Sequence, residues 1–337
     1  MTDLKTNYMG IALKNPIVVG ASNMVNDIEN IKKLEKAGAA AIVYKSLFEE
    51  QIHLESIEMQ SEMEQYNERH AEMVTLFPHV EHAGPKEHLL NLRKAKESVS
   101  IPVIASLNAI FKETWVEYAK QIEETGVDGL ELNFYSVPRE FDQVSAEIEK
   151  QQIEAFKSVK NAVGIPVSVK LSPFYANPLN FIKALDEAGA DAFILFNRLF
   201  QPDIDIDAEK HSTNFGLSSP VDNQLPLRFA GLLYNNIEAS IVSNSGIFTG
   251  NDVAKMILAG ANAVQVVSTV YKNKIEQVSV MLDELTNWME KKYYRSIDEF
   301  RGKLSNKSIN DPFVYKRAQY VDILLKSTDI TKKYPLR

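Results

Sequence analysis

A closed (β/α)8 barrel, the TIM-barrel class of α/β fold, is what this sequence predicts, and two observations predict it. Eight short apolar runs alternate with amphipathic stretches, and one phrase recurs four times, as EKAGAAAIV, EETGVDGLEL, DEAGADAFIL and ILAGANAVQV. In that phrase a glycine ends a helix in the left-handed conformation and feeds a strand apolar on both faces, which is a parallel strand covered by helices. An open doubly wound sheet is the alternative, and eight strands without signs of a second domain favour closure.

The strands are read in order as PIVVG (16–20), AAAIVY (39–44), PVIASL (102–107), DGLELN (128–133), PVSVKL (166–171), DAFILFN (191–197), ASIVSNSG (239–246) and NAVQVV (262–267). Each is short, rich in β-branched residues and bounded by turn residues. Between them, apolar residues at helical spacing predict helices over 27–37, 86–98, 113–125, 146–162, 178–188, 223–236, 251–259 and 273–292. The chain is longer than the roughly 250 residues of a minimal barrel. The excess falls at 46–84 after the second strand, at 198–222 after the sixth, and in a tail. Both insertions follow strand C-terminal ends, the catalytic rim of such barrels, and read as lids over a site. A thicker shell or a homodimer contact is the alternative use. One domain over 1–305, with a tail over 306–337 packed on it, accounts for the whole.

Composition narrows the function. The 37 Lys and Arg against 45 Asp and Glu leave a net charge of −8, with no basic run, which argues against nucleic acid or an anionic membrane as partner. The absence of cysteine removes disulfides, thiolate metal sites, cysteine-ligated iron–sulfur clusters and a cysteine nucleophile. No apolar stretch of membrane-spanning length and no signal-peptide pattern occurs, so the expected location is cytoplasmic. His79 and His82 have a metal-like spacing, but neighbouring Pro78 denies them a rigid helical face, and no metal site is expected.

Chemistry in a barrel sits where strands end. Those ends carry Ala21, Ser22 and Asn23; Lys45 and Ser46; Ser106 and Asn108; Glu131 and Asn133; Lys170 and Ser172; Asn197 and Arg198; Ser243 to Gly246; and Ser268 and Thr269. The set is rich in amides, hydroxyls and lysine and poor in carboxylates, unlike a paired-acid glycosidase or a carboxylate-bound metal site. The direction of Glu131, inward or outward, stays open. After strands seven and eight the small residues Ser245, Gly246, Ser268 and Thr269 let backbone N–H groups approach a phosphate ester, the common phosphate position of these barrels. Lys45 and Lys170 either form a Schiff base, offer positive charge to an electron-rich ring, or snorkel as structural residues. With Asn108, Asn133 and Asn197 they suit a planar heterocycle with many donors and acceptors, and flavin mononucleotide (FMN) fits both halves.

At this point the sequence resembles the dihydroorotate dehydrogenase family, in its cytosolic class. The likeness runs from about Leu4 to Ser305: NPIVVGAS (15–22), YKS (44–46), ELN (131–133), VKLSPF (169–174), FN (196–197), SNSGIFTGNDV, AGANAVQVVST and YRSIDEFRGKL (294–304) stand in family order at matching strands. The resemblance implies FMN as cofactor and oxidation of dihydroorotate to orotate, the pyrimidine-forming reaction. By its pattern Ala21, Ser22, Lys45, Ser46, Asn108, Asn133, Lys170, Ser245, Gly246, Ser268 and Thr269 bind the flavin. Lys45, Asn133, Asn197 and Arg198 bind a small anionic substrate. Ser136 falls at the family's base position, with Lys45 stabilising charge and Tyr135 as rival base. The departures lie on the substrate side: NFYSVP (133–138) has Val137-Pro138 where the family has Pro-Asn, and the family's asparagine loop after strand two is replaced by 47–84. Two function classes stay open: a flavin oxidoreductase on dihydroorotate or another small cyclic anion, and a flavin- or phosphate-binding barrel without turnover.

Overall fold

A computed structural model describes residues 2–49, 85–108, 111–134, 141–198, 202–213, 216–316, 318–325 and 332. The chain opens with a hairpin, β1 (Thr6–Tyr8) and β2 (Ile11–Leu13). Its turn residues Met9 and Gly10 both have positive φ, 56° and 78°, the backbone that makes a tight two-residue hairpin match the strand twist. The barrel begins with β3 (Ile17–Val19), followed by α1 (Ile28–Lys36), β4 (Ala41–Val43) and a short β5 (Leu47–Phe48). Then come α2 (Pro85–Ser98), β6 (Val103–Asn108), α3 (Lys112–Glu123), β7 (Gly129–Asn133) and α4 (Ser145–Ala162). They lead to β8 (Val167–Leu171), α5 (Pro178–Glu187) and β9 (Ala192–Leu195). A second hairpin, β10 (Pro202–Asp205) with β11 (Lys210–Thr213), stands in the 198–222 insertion. The last units are α6 (Gln224–Leu233), β12 (Ser240–Asn244), α7 (Gly250–Ala259), β13 (Ala263–Val266), α8 (Ser268–Asn273) and α9 (Gln277–Lys291), with α10 (Ala318–Leu325) in the tail.

All eight main strands are parallel, and pairing of β4 with β6, Ile42 opposite Val103, closes the ring that an open sheet would leave split. The eight strand readings all fall on barrel strands. The helix read over 273–292 begins late instead: Lys274, at φ 69°, separates α8 from α9. Neither hairpin is signalled by periodicity, and most of the 46–84 insertion, from residue 50 on, lies outside the described residues.

Alternation sorts the strand side chains into two layers. Leu130 and Leu132, Val167, Val169 and Leu171, and Val264 and Val266 join the large core between barrel and helices. A smaller core inside the barrel contains Val18, Val43, Ile104, Ile194 and Val242, and the N-terminal hairpin closes its lower mouth with Tyr8 and Met9. Thr6 Oγ1 donates to Asn262 O at 2.8 Å there, and a Cβ on Gly129 would lie 2.9 Å from Met9 Cε. Glycine thus lets the tip of the plug's Met9 side chain pack directly against the wall.

The recurring phrase has a structural reason at this lower face. Two residues after each helix-ending glycine stand Ala40, Asp128, Asp191 and Asn262. Asp128 accepts from Val103 N (2.7 Å), Asp191 from Val167 N (2.7 Å), and Asn262 Oδ1 from Ile241 N (2.9 Å), each the opening region of the preceding barrel strand. Lys96 and Lys160 pair with the two aspartates. Where Ala40 lacks an acceptor, Asn15 does the work from the first strand, accepting from Ile17 N and donating to Gly38 O. Glu35, Glu123 and Asp186 accept from the backbone ahead of the alternate strands, at Ser100, Gly164 and Ala239. Strand-start N–H groups that no neighbour satisfies are thus paired rather than buried bare.

Candidate active site

The upper ends of the strands surround a cavity of about 340 Å³. Ala21, Ser22, Lys45, Ser46, Asn133, Lys170, Asn197, Arg198, Ser245, Gly246 and Ser268 all line it. Asn108 and Thr269 do not. Asn108 lies one layer behind and donates from Nδ2 to Asn133 O (3.0 Å), while Thr269 turns its hydroxyl to Phe248 O (3.4 Å). Ser136 and Tyr135 lie outside the described residues, as do His79 and His82. No cluster of metal-ligating side chains occurs among the described residues.

The strand pattern decides which groups point inward. In β7 and β8, Glu131, Asn133, Ser168 and Lys170 alternate with the apolar residues of the outer core, so all four face the barrel axis. This settles the direction of Glu131: it is fully buried within the barrel. Lys170 Nζ donates to Gln265 Oε1 (3.2 Å) and lies 3.6 Å from Glu131 Oε1. Gln265 Nε2 in turn donates to Glu131 Oε2. Below, Tyr8 OH meets Ser168 Oγ at 3.5 Å, and burial, followed by the nearby Glu131 charge, raises the phenol above its ordinary pKa.

Across the cavity, Asn197 Nδ2 donates to Asn133 Oδ1 (2.7 Å), and Asn244 Nδ2 to Phe196 O (3.0 Å). Beside Lys45, Ser46 Oγ and Ser106 Oγ are 2.7 Å apart. His88 packs edge-on to Tyr44, ring centroids 5.4 Å apart; burial and then the Lys45 charge lower its pKa to about 4. The start of the first insertion is tied down by Glu49, whose carboxylate accepts from Phe111 N (3.0 Å) and Thr114 Oγ1 (2.9 Å) at the first turn of α3.

Loops seven and eight are joined by the second insertion. Gly246 N donates to Ser218 Oγ (3.2 Å), Ser218 N donates to Ser268 Oγ (2.9 Å), and Lys272 Nζ donates to Ser218 O (2.8 Å). Ser245 and Gly246 both have positive φ, 77° and 72°, and a Cβ on Gly246 would lie 2.3 Å from Asn223 N. Glycine is needed here for its backbone conformation and for close packing against the start of α6. Arg198 is held on the same insertion: Nε donates to Gly216 O (2.8 Å) and Nη1 pairs with Asp222 at 2.9 Å. Burial pushes the Asp222 carboxyl up, but Ser219 N–H and Arg198 outweigh it and leave its pKa below the usual range.

Among the lining groups, Gln265, Asn244 and Ser218 have no role assigned from the sequence. Gln265 carried a signal, since an amide between Val264 and Val266 in a barrel strand points to the axis. Ser218 carried none, because a loop returning over the rim has no periodicity. As a receptor the cavity offers an ammonium with an adjacent amide, a hydrogen-bonded pair of amides, and two loops of small residues. Ser22 Oγ is buried with no hydrogen-bond partner among the described residues.

Sequence comparison identifies the family to which this barrel belongs. The family profile described as dihydroorotate dehydrogenase matches residues 81–289. The catalytic subunit of dihydroorotate dehydrogenase B (NAD(+)) from Methanocaldococcus jannaschii is 28% identical over 298 residues, covering 85% of this chain and 94% of that protein. The protein of the same name from Thermoplasma volcanium is 28% identical over 90% of this chain and 98% of its own. Dihydroorotate dehydrogenase A (fumarate) from Lactobacillus helveticus is 27% identical over 90% and 99%. With a profile match spanning six of its eight barrel strands and relatives aligned over most of the barrel, the chain belongs to the dihydroorotate dehydrogenase family.

Proposed function

We propose that this protein binds FMN and oxidises dihydroorotate at its ring carbon–carbon bond, the pyrimidine-forming reaction of its family. The observation that carries the reading is one cavity in which Lys170 with Gln265, the Asn133–Asn197 pair and the Ser245–Gly246 and Ser268 loops converge at the strand ends. These groups fit the cofactor's chemistry. Lys170 and Gln265 suit the pyrimidine edge of the ring, the unpartnered Ser22 hydroxyl is free to bond it, and the small-residue loops suit the phosphate. Ser218 supplies the hydrogen bonds that hold the two loops together, and a phosphate ester between them would share or replace those bonds.

Bound flavin would supply the two-electron acceptor. The remaining work belongs to the chain. Asn133 and Asn197 orient an amide-bearing ring, Lys45 offers charge to an anionic group, and Ser136 removes the proton lost from the adjacent carbon. Arg198, paired with Asp222, serves the substrate side by holding the second insertion over the site. The archaeal relatives' names describe catalytic subunits, which supports a second subunit as the route for electrons here, with a homodimer as the other assembly. A cytoplasmic location goes with this reading, and no described helix is long and apolar enough to cross a membrane.

A related reading, oxidation of another small cyclic anion, is favoured by one observation: Val137-Pro138 stands where the resembled family has Pro-Asn. Anaerobic mixing tests both. Dihydroorotate should bleach the bound flavin; bleaching only by a different cyclic amide selects the related reading, and a flavin that no such compound reduces overturns catalysis.

A further inference from the structure

Glu131 has no part in the chemistry above, yet it is fully buried beside Lys170, which lines the cavity. Its two oxygens are used unequally. Oε2 accepts from Gln265, whereas Oε1 has no hydrogen-bond partner among the described residues. A buried carboxylate half-satisfied in this way is costly unless a charge compensates it. The Lys170 ammonium, 3.6 Å away and itself buried, is that charge.

The amide between them has one sensible orientation. Gln265 turns its carbonyl to the ammonium and its NH2 to the carboxylate; the flipped amide would set donor against donor and acceptor against acceptor. Gln265 thereby keeps the ammonium from collapsing onto Glu131, leaving Lys170 directed to the cavity it lines. Space for this amide is left just after β3: a Cβ on Gly20 would lie 3.1 Å from Gln265 Oε1 and 2.9 Å from Val267 Cγ2. Around the pair stand Tyr8 from the hairpin plug, Ser168 from β8 and, across the cavity, Lys45.

We propose that Glu131 is a positioning residue for the flavin: a buried counter-charge that, with Gln265 as spacer, sets how strongly the site favours reduced over oxidised FMN. The inference rests on the flavin reading above. A reduced flavin carries added negative charge at its pyrimidine edge, which Lys170 attracts and Glu131 opposes, with little water between to screen either. Removing the carboxylate should therefore favour the reduced form. Removing the spacer should draw the ammonium onto Glu131 and favour the oxidised form.

The test is the ratio of FMN dissociation constants, oxidised over reduced, obtained from flavin binding and the midpoint potential of the bound flavin; the two are linked thermodynamically. Glu131→Gln should raise the ratio about tenfold or more, Glu131→Asp should leave it near the wild-type value, and Gln265→Leu should lower it several-fold. Equal shifts in Glu131→Gln and Glu131→Asp would mean packing rather than charge and overturn the proposal, as would an unmoved ratio in Glu131→Gln. If Glu131→Gln fails to fold, Gln265→Leu decides by the direction of its shift, and no fall there overturns the proposal. A wild-type protein that binds no flavin sinks the flavin reading together with this one, whereas bound flavin with unmoved ratios sinks this one alone.

Discussion

Asn197 Nδ2 donates to Asn133 Oδ1 at 2.7 Å, joining the ends of β9 and β7 across the intervening β8. Two amides so paired are held in one orientation, ready to exchange this bond for bonds to a ring that presents both donors and acceptors. Asn197→Ala should raise KM for the substrate by about one to two orders of magnitude, the usual cost of leaving buried polar groups unpaired. Flavin content should stay the same. Steady-state kinetics with a parallel flavin assay checks this, and an unchanged KM removes Asn197 from the substrate site.

Gly246→Val should lose FMN. Its φ of 72° strains any residue with a Cβ, and that Cβ would meet the backbone of Asn223 and Asp222. The substitution therefore displaces loop seven from the site rather than blocking it from within. Purified variant protein should carry little flavin and melt earlier than wild type; stoichiometric flavin at unchanged melting temperature refutes the assignment.

Ser136→Ala should slow flavin reduction by about two to four orders of magnitude, the range for loss of a general base, with flavin content unchanged. Tyr135→Phe should be mild. Because a serine hydroxyl gives up its proton reluctantly, the wild-type rate should climb with pH to an alkaline plateau. Stopped-flow reduction across pH reads both effects, and the opposite ranking of the two variants reassigns the base.

His88 predicts a pH dependence of stability. Burial lowers its pKa to about 4, below the usual 6.5, so the unfolded chain binds the proton more readily. Stability is then independent of this group above about pH 6.5 and falls as pH drops from there toward 4, by about 2 kcal/mol between pH 7 and 5. His88→Phe, which keeps an aromatic ring against Tyr44, should lose most of that fall. Urea unfolding at the two pH values measures it, and equal slopes in both proteins would exclude His88 as the source.

Legibility in the sequence followed periodicity. The barrel strands were readable because short β-branched runs and helix-ending glycines repeat, and Lys170, Asn133 and Asn197 because they occupy strand ends. The N-terminal hairpin was hidden because its strands are three residues long and its turn has Met9 where asparagine would announce φ above zero. Gln265 is hidden for a different reason: the β-branched residues of NAVQVV mark a strand, but not which of its two amide side chains reaches the site. The acceptors at Asp128, Asp191 and Asn262 were visible as a repeated spacing, but their partners lie one strand back, which spacing alone does not reveal.

Those lower-face acceptors have a consequence for how the molecule tolerates change. They fasten β6 to β7, β8 to β9 and β12 to β13 at the mouth remote from the cavity, so strand register is decided before the chain reaches the rim. The rim is thereby free to be rewritten. Segments as unlike the family's pattern as 47–84 can be spliced in after a strand without disturbing the scaffold, and new substrate preferences can arise there while the frame persists.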